Sequence, residues 1–182
     1  MATSTTTELH FRWATPADAD AIVALAQAAY RGQASRAGWT TEADFLDGQR
    51  TDREGVLAML GEGQGILLAE EAGGALLGCC HLERDGGAAW FGLFAVDPRR
   101  QGRGIGDRVL AEAERLAGEV FGCRRLRMKV IWLRDSLIAW YGRRGFRRCG
   151  ETHPFPYGDE RFGIPRRDDL YFIVLEKPLG PA

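Results

Sequence analysis

Lysine, cysteine and long apolar runs are all scarce in this chain, and each scarcity excludes a class of protein. Lys129 and Lys177 are the only lysines among 24 basic residues, which 25 acidic residues balance to a net charge of −1. The overall charge therefore indicates neither a nucleic acid nor an anionic membrane as partner. No window reaches the roughly 18 apolar residues of a membrane span, and residues 1–9 do not resemble a secretion signal.

Four cysteines are too few for a disulfide scaffold of 182 residues, and two of them, Cys79 and Cys80, are neighbours in an apolar run. We therefore expect reduced, buried thiols, which together with the absence of a targeting segment predict a cytoplasmic protein. The cysteines and the three histidines show no metal-ligand spacing, so no metal site is expected.

The composition is that of an ordinary globular protein, with 45% hydrophobic and 27% charged residues. The length predicts one domain over residues 9–182, preceded by a disordered polar lead at residues 1–8. Periodicity and turn residues predict strands at 9–13, 66–70, 76–83, 89–96, 127–132 and 170–175, and helices at 15–32, 54–61, 105–117 and 136–144.

The order of these elements predicts an α/β fold. Glycine pairs at 73–74 and 86–87 predict an antiparallel meander of three strands. The stretch from Trp90 to Trp132 then has the order strand, loop, helix, strand, which predicts that its two strands are parallel. The polar stretch at 33–55 is long for an idle connection, so we expect it to be functional or to contain short helices.

The loop from Gln101 to Gly106 has three glycines at alternate positions and opens a helix. Free N–H groups at a helix start, with no Cβ in the way, are typical of a phosphate site. A nucleotide P-loop would need Lys followed by Ser or Thr after Gly106, where this chain has Asp107 and Arg108, and the glycine spacing fits a dinucleotide fingerprint poorly. A turn without a ligand is the remaining alternative.

This loop resembles the [Arg/Gln]-x-x-Gly-x-[Gly/Ala] motif of the GNAT superfamily of acyl-CoA-dependent N-acyltransferases. The resemblance implies that the loop backbone holds the pyrophosphate of acetyl-CoA, and that the strand before the loop pairs with the pantetheine arm. The cofactor residues implied are Phe94, Ala95, Val96, Gln101, Gly102, Arg103, Gly104, Ile105 and Gly106. It also implies a mixed, mostly antiparallel sheet flanked by helices, with a splayed parallel pair of strands at the cofactor site.

A second match, Tyr141 to Phe146, resembles the Tyr-x-x-x-Gly-Phe signature of the same family. It implies that Tyr141 is the general acid that protonates the departing CoA thiolate, whereas a core aromatic role is the alternative. The family often has an asparagine seven positions before this tyrosine, where this chain has Arg134. We expect Arg134 either to meet a phosphate of the cofactor or to lie at the surface.

The acceptor amine must lose a proton before it attacks, and many family members use a glutamate on the central strands. The predicted strand 89–96 contains no carboxylate, so His81 and Glu83 on the neighbouring strand are the candidate bases, acting through water, or are solvated positions. The acceptor pocket is expected between residues 38–51 and 152–163, whose aromatic and acidic side chains suit a cationic acceptor with an apolar body or are surface loops. The candidate acceptor residues are Trp39, Glu42, Asp44, Phe155, Tyr157 and Asp159.

The resemblance thus implies an enzyme that transfers an acetyl group from acetyl-CoA to a primary amine of a small molecule or peptide, by direct attack and without a metal. A homodimer is one expected assembly, since family members are often dimers. The alternative is a GNAT-fold module that binds CoA species or an amine without turnover. A nucleotide-binding oxidoreductase, which would bind NAD, is a third hypothesis.

Overall fold

The computed structural model describes residues 8–180, in which one large sheet carries helices on both faces. The expected disordered lead at residues 1–8 lies outside the described residues, apart from the exposed Glu8. The strands are β1 Leu9–Trp13, β2 Leu46–Asp47, β3 Gln64–Glu71, β4 Leu76–Asp85, β5 Ala88–Val96, β6 Arg125–Ile131, β7 Arg147–Pro154, β8 Ile164–Pro165 and β9 Tyr171–Pro178. The helices are α1 Ala19–Tyr30, α2 Gly32–Ser35, α3 Arg53–Ala58, α4 Ile105–Arg115 and α5 Asp135–Gly142.

Seven strands form the large sheet in the order β1-β3-β4-β5-β6-β9-β7, while β2 and β8 pair separately. All neighbours in the large sheet are antiparallel except β5 and β6, so the expected mixed fold, meander and parallel pair are confirmed. The parallel pairing covers only Ala88 to Trp90 of β5 and Arg125 to Arg127 of β6. Beyond this point the two strands diverge and leave a gap in the middle of the sheet.

A bulge in β5 lies beside this gap. The register between β4 and β5 shifts by one residue between the pairs Cys79–Ala95 and His81–Gly92. Leu93 lies within the bulge with φ of 43°, the one positive φ of a non-glycine residue in residues 8–180. Such a conformation costs on the order of 1–3 kcal/mol, and strained residues of this kind concentrate at functional sites.

The two faces of the sheet carry separate cores because successive strand residues point to opposite sides. On one face, α1 and α3 cover β3 to β5, with Ile22, Val56 and Leu68 fully or almost fully buried. On the other face, α4 and α5 pack over Leu82 and Leu126, among others. Among residues 8–180, no helix has the length and apolar character needed to cross a membrane.

Several elements differ from the sequence-based expectation. The strand β7 was not predicted, because its residues are almost all exposed and polar and show no apolar alternation. The polar stretch at 33–55 does contain short elements, α2, β2 and the start of α3. The helix α4 begins at Ile105 as expected, and a π-helical turn at Leu116–Val120 continues it.

Candidate active site

The first feature of the site is a cavity of about 390 Å³ between the end of β5, the loop after it and α5, here called the loop cavity. Gly102 and Gly104 line it with φ of 78° and 74°, and no atom lies within 4 Å of where their Cβ atoms would stand. Gly104 precedes α4, whose first N–H groups have no partner within the helix. The loop therefore offers backbone donors beside space that a ligand can fill.

The arginines of this loop contribute less positive charge to the cavity than their number suggests. Arg99 pairs with Asp97 within the loop, and Arg100 pairs with Glu71 on β3. The cations that line the loop cavity are instead Arg134, just before α5, and Arg143, just after it.

The side chain of Gln101 links the loop by hydrogen bonds to a distant part of the chain. Its Oε1 accepts a hydrogen bond of 3.0 Å from the backbone N–H of Trp39, and its Nε2 donates to the carbonyl of Val96 at 3.3 Å. A Cβ on Gly38 would lie 2.5 Å from the same Oε1, so glycine allows this close approach. The indole of Trp39 thereby reaches Trp140, with ring centroids 6.3 Å apart, and forms part of the loop cavity wall.

Tyr141 lies on α5 at the inner end of the loop cavity. Its ring packs against Phe94, Trp140 and Phe146, with centroid distances of 6.4, 5.1 and 5.6 Å. The side chain is 3% exposed, and its hydroxyl has no hydrogen-bond partner among the described residues. Burial raises the pKa of Tyr141 well above the ordinary value of 10, so the hydroxyl is protonated at neutral pH and can act as an acid.

A second cavity, of about 510 Å³, lies on the other side of the gap between β5 and β6. A narrow passage of about 70 Å³ shares Phe94 and Tyr141 with the loop cavity, and shares Gly92 and Leu93 with the second cavity. Tyr30 also lines the passage, and its hydroxyl donates a hydrogen bond to the carbonyl of Phe94 beside the bulge. The three cavities thus lie side by side where the two strands diverge, and Tyr141 lines the loop cavity and the passage.

A buried ion-pair cluster separates the cavities on one side. Glu42 is 6% exposed and binds two guanidinium groups, that of Arg31 and that of Arg134, the latter with Nη1 to Oε1 at 3.0 Å. Burial alone would raise the pKa of Glu42, but the charges of Arg134 and Arg31 outweigh it and lower the pKa below 4.5. Arg134 also donates to Thr40 Oγ1 at 2.8 Å. The side chain of Arg134 is therefore buried and paired with Glu42, so it does not lie at the surface, and it also lines the loop cavity.

His81 and Glu83 line the second cavity from β4. The Nε2 atom of His81 lies 3.0 Å from Oε1 of Gln64. Burial lowers the pKa of His81 to about 4, so its imidazole is neutral at pH 7. Glu83 is exposed and lines the same cavity two residues further along β4, toward the turn at residues 86–87.

Residues 62–148, which contain the loop and Tyr141, match the family model of the acetyltransferase (GNAT) domain. Over this region, which is just under half of its length, the chain is similar to the GNAT superfamily. A curated GNAT relative, the spermine/spermidine N(1)-acetyltransferase of Bacillus subtilis (strain 168), is 31% identical over 65 residues. That alignment covers 36% of this chain and 43% of the relative, so it spans less than half of the relative's length.

Solved GNAT structures share the fold over nearly the whole chain. The ribosomal-protein-S18-alanine N-acetyltransferase from Escherichia coli superposes with a TM-score of 0.70 and 16% identity, covering 96% of each chain. A nourseothricin acetyltransferase superposes with a TM-score of 0.67 and 20% identity, covering 96% of this chain and 100% of the other. At such identities the similarity establishes the fold of this chain.

The GNAT fold brings most of the sequence-predicted residues to the two cavities. Around the loop cavity lie Trp39, Phe94, Val96, Gln101, Gly102, Gly104, Gly106, Arg134 and Tyr141. Around the second cavity lie Glu42, His81, Glu83 and Phe155. Ala95 and Ile105 turn their side chains into the two cores, and Arg103 is exposed, so these three would contribute only backbone.

Three residues expected in the acceptor pocket have other partners and line neither cavity within the described residues. Asp44 pairs with Arg36 at the surface, and Asp159 pairs with Arg161. The hydroxyl of Tyr157 accepts a hydrogen bond of 2.9 Å from the backbone N–H of Leu170, which links the two ends of the loop that contains Tyr157. Trp39, also expected in that pocket, lies at the loop cavity instead.

Among the residues that line the passage and that sequence reasoning missed are Tyr30, Arg50, Leu93 and Lys129. Tyr30 ends a helix whose apolar stripe gave no reason to separate it from the core. Arg50 lies within the unpatterned stretch, and Leu93 reads as an ordinary strand residue. Lys129 is one of only two lysines in an arginine-rich chain, which was the single signal available.

Proposed function

We propose that this chain is an N-acetyltransferase that transfers an acetyl group from acetyl-CoA to a primary amine of a small molecule or peptide by direct attack. The observation that carries the proposal is the position of Tyr141. Its side chain is buried, its hydroxyl is protonated and has no hydrogen-bond partner among the described residues, and the residue lines both the loop cavity and the passage. One cavity is suited to the donor and the other to the acceptor, and the acid lies between them.

The residues around the loop cavity fit acetyl-CoA as co-substrate. The space beside Gly102 and Gly104 and the free N–H groups of α4 suit a pyrophosphate. The edge of β5 that faces the gap pairs with no strand beyond Trp90, so an extended arm could pair with it there. The carbonyls of Phe94 and Val96 already accept hydrogen bonds from Tyr30 and Gln101. When bound, acetyl-CoA would supply the acetyl group as a thioester.

In the proposed reaction, the acceptor nitrogen forms a bond to the acetyl carbonyl carbon, and the bond from that carbon to sulfur breaks. Tyr141 donates its proton to the departing sulfur and regains one from solvent. The proton that the nitrogen loses passes to water in the second cavity, where His81 and Glu83 are the proposed acceptors through that water. The neutral imidazole of His81 can accept a proton, while Glu83 lies at the exposed side of the cavity.

Direct attack, without an acyl-enzyme, is supported by the positions of the cysteines. Neither cavity nor the passage is lined by a cysteine in the part of the chain that the structure covers. Cys79, Cys80 and Cys123 are buried, and burial raises the pKa of Cys79 to about 12. Cys149 is exposed on β7, away from the site. A single domain over residues 9–182, a cytoplasmic location and a homodimer belong to the same proposal.

The first test is a thermal-shift titration with acetyl-CoA, CoA and NAD side by side. A ligand at 100 times its dissociation constant adds about 2.7 kcal/mol of stability. We expect stabilisation by acetyl-CoA and CoA and none by NAD. Absence of a shift with both CoA species would refute the donor site, and a shift with NAD alone would favour an oxidoreductase.

The second test measures CoA release with a panel of amines and the Tyr141→Phe variant. Loss of the acid should lower the rate of acetyl transfer by about 10²- to 10⁴-fold while acetyl-CoA affinity is retained. Tyr171→Phe is the matched control, because Tyr171 is an exposed tyrosine that lines neither cavity. An unchanged rate in Tyr141→Phe would refute its role, and acetyl-CoA affinity with no turnover of any amine would indicate the non-catalytic GNAT module.

A further inference from the structure

The acidic residues that the sequence suggested for a cationic acceptor offer it no free carboxylate, and the other carboxylates of the second cavity, Glu83 and Asp85, lie at its exposed side. The carboxylate of Glu42 forms ion pairs with two buried arginines. Asp44 and Asp159 pair with surface arginines and do not line the cavity. Of the three acidic residues expected to attract a cation there, none has a free carboxylate at the second cavity.

Two cations, by contrast, face both the second cavity and the passage without a carboxylate partner. The guanidinium carbon of Arg50 lies 4.9 Å from the ring centroid of Tyr30, and Nζ of Lys129 lies 5.1 Å from that of Trp90. Within residues 8–180 neither side chain forms an ion pair. Their known contacts are aromatic faces, which leave their N–H donors available to a ligand.

A third cation strengthens the positive charge at the passage. Arg134 lines it with a side chain that is 8% exposed, and its buried Nε has no hydrogen-bond partner. Glu42 is the single carboxylate among the described residues that line the passage. Three cations and one carboxylate therefore line the passage. Arg134 is buried and Arg50 half-buried, where an uncompensated charge is expensive and an opposite charge from a ligand is strongly attracted, while Lys129 is exposed and contributes its charge from the solvent side.

We propose that the acceptor is an amine that carries an oxyanion of the carboxylate class close to its nitrogen, and that Arg50 and Lys129 bind this oxyanion while the nitrogen reaches the passage. This inference rests on the proposed function and names its substrate class. The aromatic rings of Phe155 and Phe172, 5.8 Å apart, line the same cavity and suit an apolar side chain on the acceptor. The class therefore includes apolar α-amino acids and their analogues.

The same positive charge explains how an amine could react here although β5 has no carboxylate. Nearby cations disfavour the ammonium form of a bound amine and favour the neutral, nucleophilic form. The oxyanion would compensate the cations from one side of the molecule, while the nitrogen, free of a carboxylate partner, loses its proton to water. Glu83 and Asp85 line the second cavity but not the passage, so they do not reverse this effect at the reacting nitrogen.

The test compares acids with matched uncharged carboxamides. L-leucine, L-methionine and L-phenylalanine are each assayed beside the corresponding amino acid amide, with spermidine as a cationic acceptor, by CoA release and by thermal shift without acetyl-CoA. We expect each effective acid to exceed its amide in kcat/KM by about 10- to 100-fold, the loss typical for a charged hydrogen bond. Arg50→Gln and Lys129→Gln should each reduce this preference by raising KM for the acid and leaving the amide unchanged.

Arg53→Gln is the control, since Arg53 is an exposed arginine near Arg50 in sequence that pairs with Asp20 and lines neither cavity. It should retain the preference for acids. Amides or spermidine reacting as well as the acids would overturn the inference and leave the proposed function intact. An equal loss of kcat/KM for acids and amides in Arg50→Gln would also overturn the inference. The same holds if the protein binds acetyl-CoA but neither binds nor acetylates any of the acids at millimolar concentration. Failure to bind acetyl-CoA would instead overturn the proposed function.

Discussion

Replacing Glu42 by Gln should destabilise the protein far more than removing an ordinary surface ion pair. The change leaves the guanidinium groups of Arg31 and Arg134 buried, with side chains 2% and 8% exposed, without their shared countercharge. Removing one partner of a buried pair costs about 3–5 kcal/mol. Because two arginines lose their partner here, we expect a loss at the upper end of that range, a large share of the roughly 5–15 kcal/mol that stabilises a typical domain.

Urea denaturation at pH 7 measures this loss directly. With a slope of about 2 kcal/mol per M, the midpoint should fall by about 2 M. Glu71→Gln is the matched control, because the Glu71 and Arg100 side chains are 32% and 29% exposed and such pairs contribute about 0–1 kcal/mol. If Glu42→Gln cost no more than Glu71→Gln, the reasoning about the buried cluster would be wrong.

The pH dependence gives a second check on the same residue. Burial would raise the pKa of Glu42, but Arg134 and Arg31 lower it in the folded protein. A carboxyl group with a lowered folded pKa stabilises the fold above its unfolded value, near 4.3, and this contribution disappears as the pH falls through the folded pKa. The difference in stability between the parent protein and Glu42→Gln should therefore be full at pH 7 and shrink in acid below about pH 4.

Two further substitutions test the loop and the core. Gly104→Val should weaken acetyl-CoA binding at least about tenfold in a calorimetric titration, because the valine side chain would enter the open space beside the loop. Gly122→Val is the control, because Gly122 has a similar φ of 67° and lies outside both cavities. It carries the same backbone strain and should leave the affinity for acetyl-CoA unchanged. Equal affinities in the two valine variants would argue against the loop as the pyrophosphate site. Leu126→Ala, at a fully buried position of β6, should cost about 2–5 kcal/mol in urea denaturation, and a loss below about 1 kcal/mol would contradict the close packing of that face.

The parts of the fold with strong local signals could be predicted from sequence. The strand Leu9–Trp13, the meander and the helix after the glycine loop follow from alternation, glycine turns and apolar periodicity, and the structure has all three. The strand β7 could not be found in this way. It is an edge strand whose side chains face solvent, so its only determinant is backbone pairing with β9, which leaves no mark on the residue pattern.

The same distinction between local and long-range signals applies to the candidate site. Residues of the loop and Tyr141 are contiguous motifs and were visible in the sequence. The sequence did not show which charged side chains are free to bind a ligand, because this depends on partners far along the chain. Glu42 pairs with Arg134, 92 positions away, while Arg50 has no such partner. The sequence therefore predicted a site for cations from acidic residues that the fold neutralises, and it did not indicate the unpaired cations.

One stretch of chain, residues 31–46, contributes to the walls of both cavities. Trp39 and Thr40 line the loop cavity, whereas Arg31, Glu42 and Leu46 line the second cavity. Occupancy of the two cavities is consequently cooperative wherever a ligand shifts this stretch, and thermodynamic reciprocity requires each ligand to change the affinity of the other by the same factor. If the proposed donor and acceptor occupy these two cavities, both contact the single segment 31–46, so we expect a substitution within it to change the affinities for both.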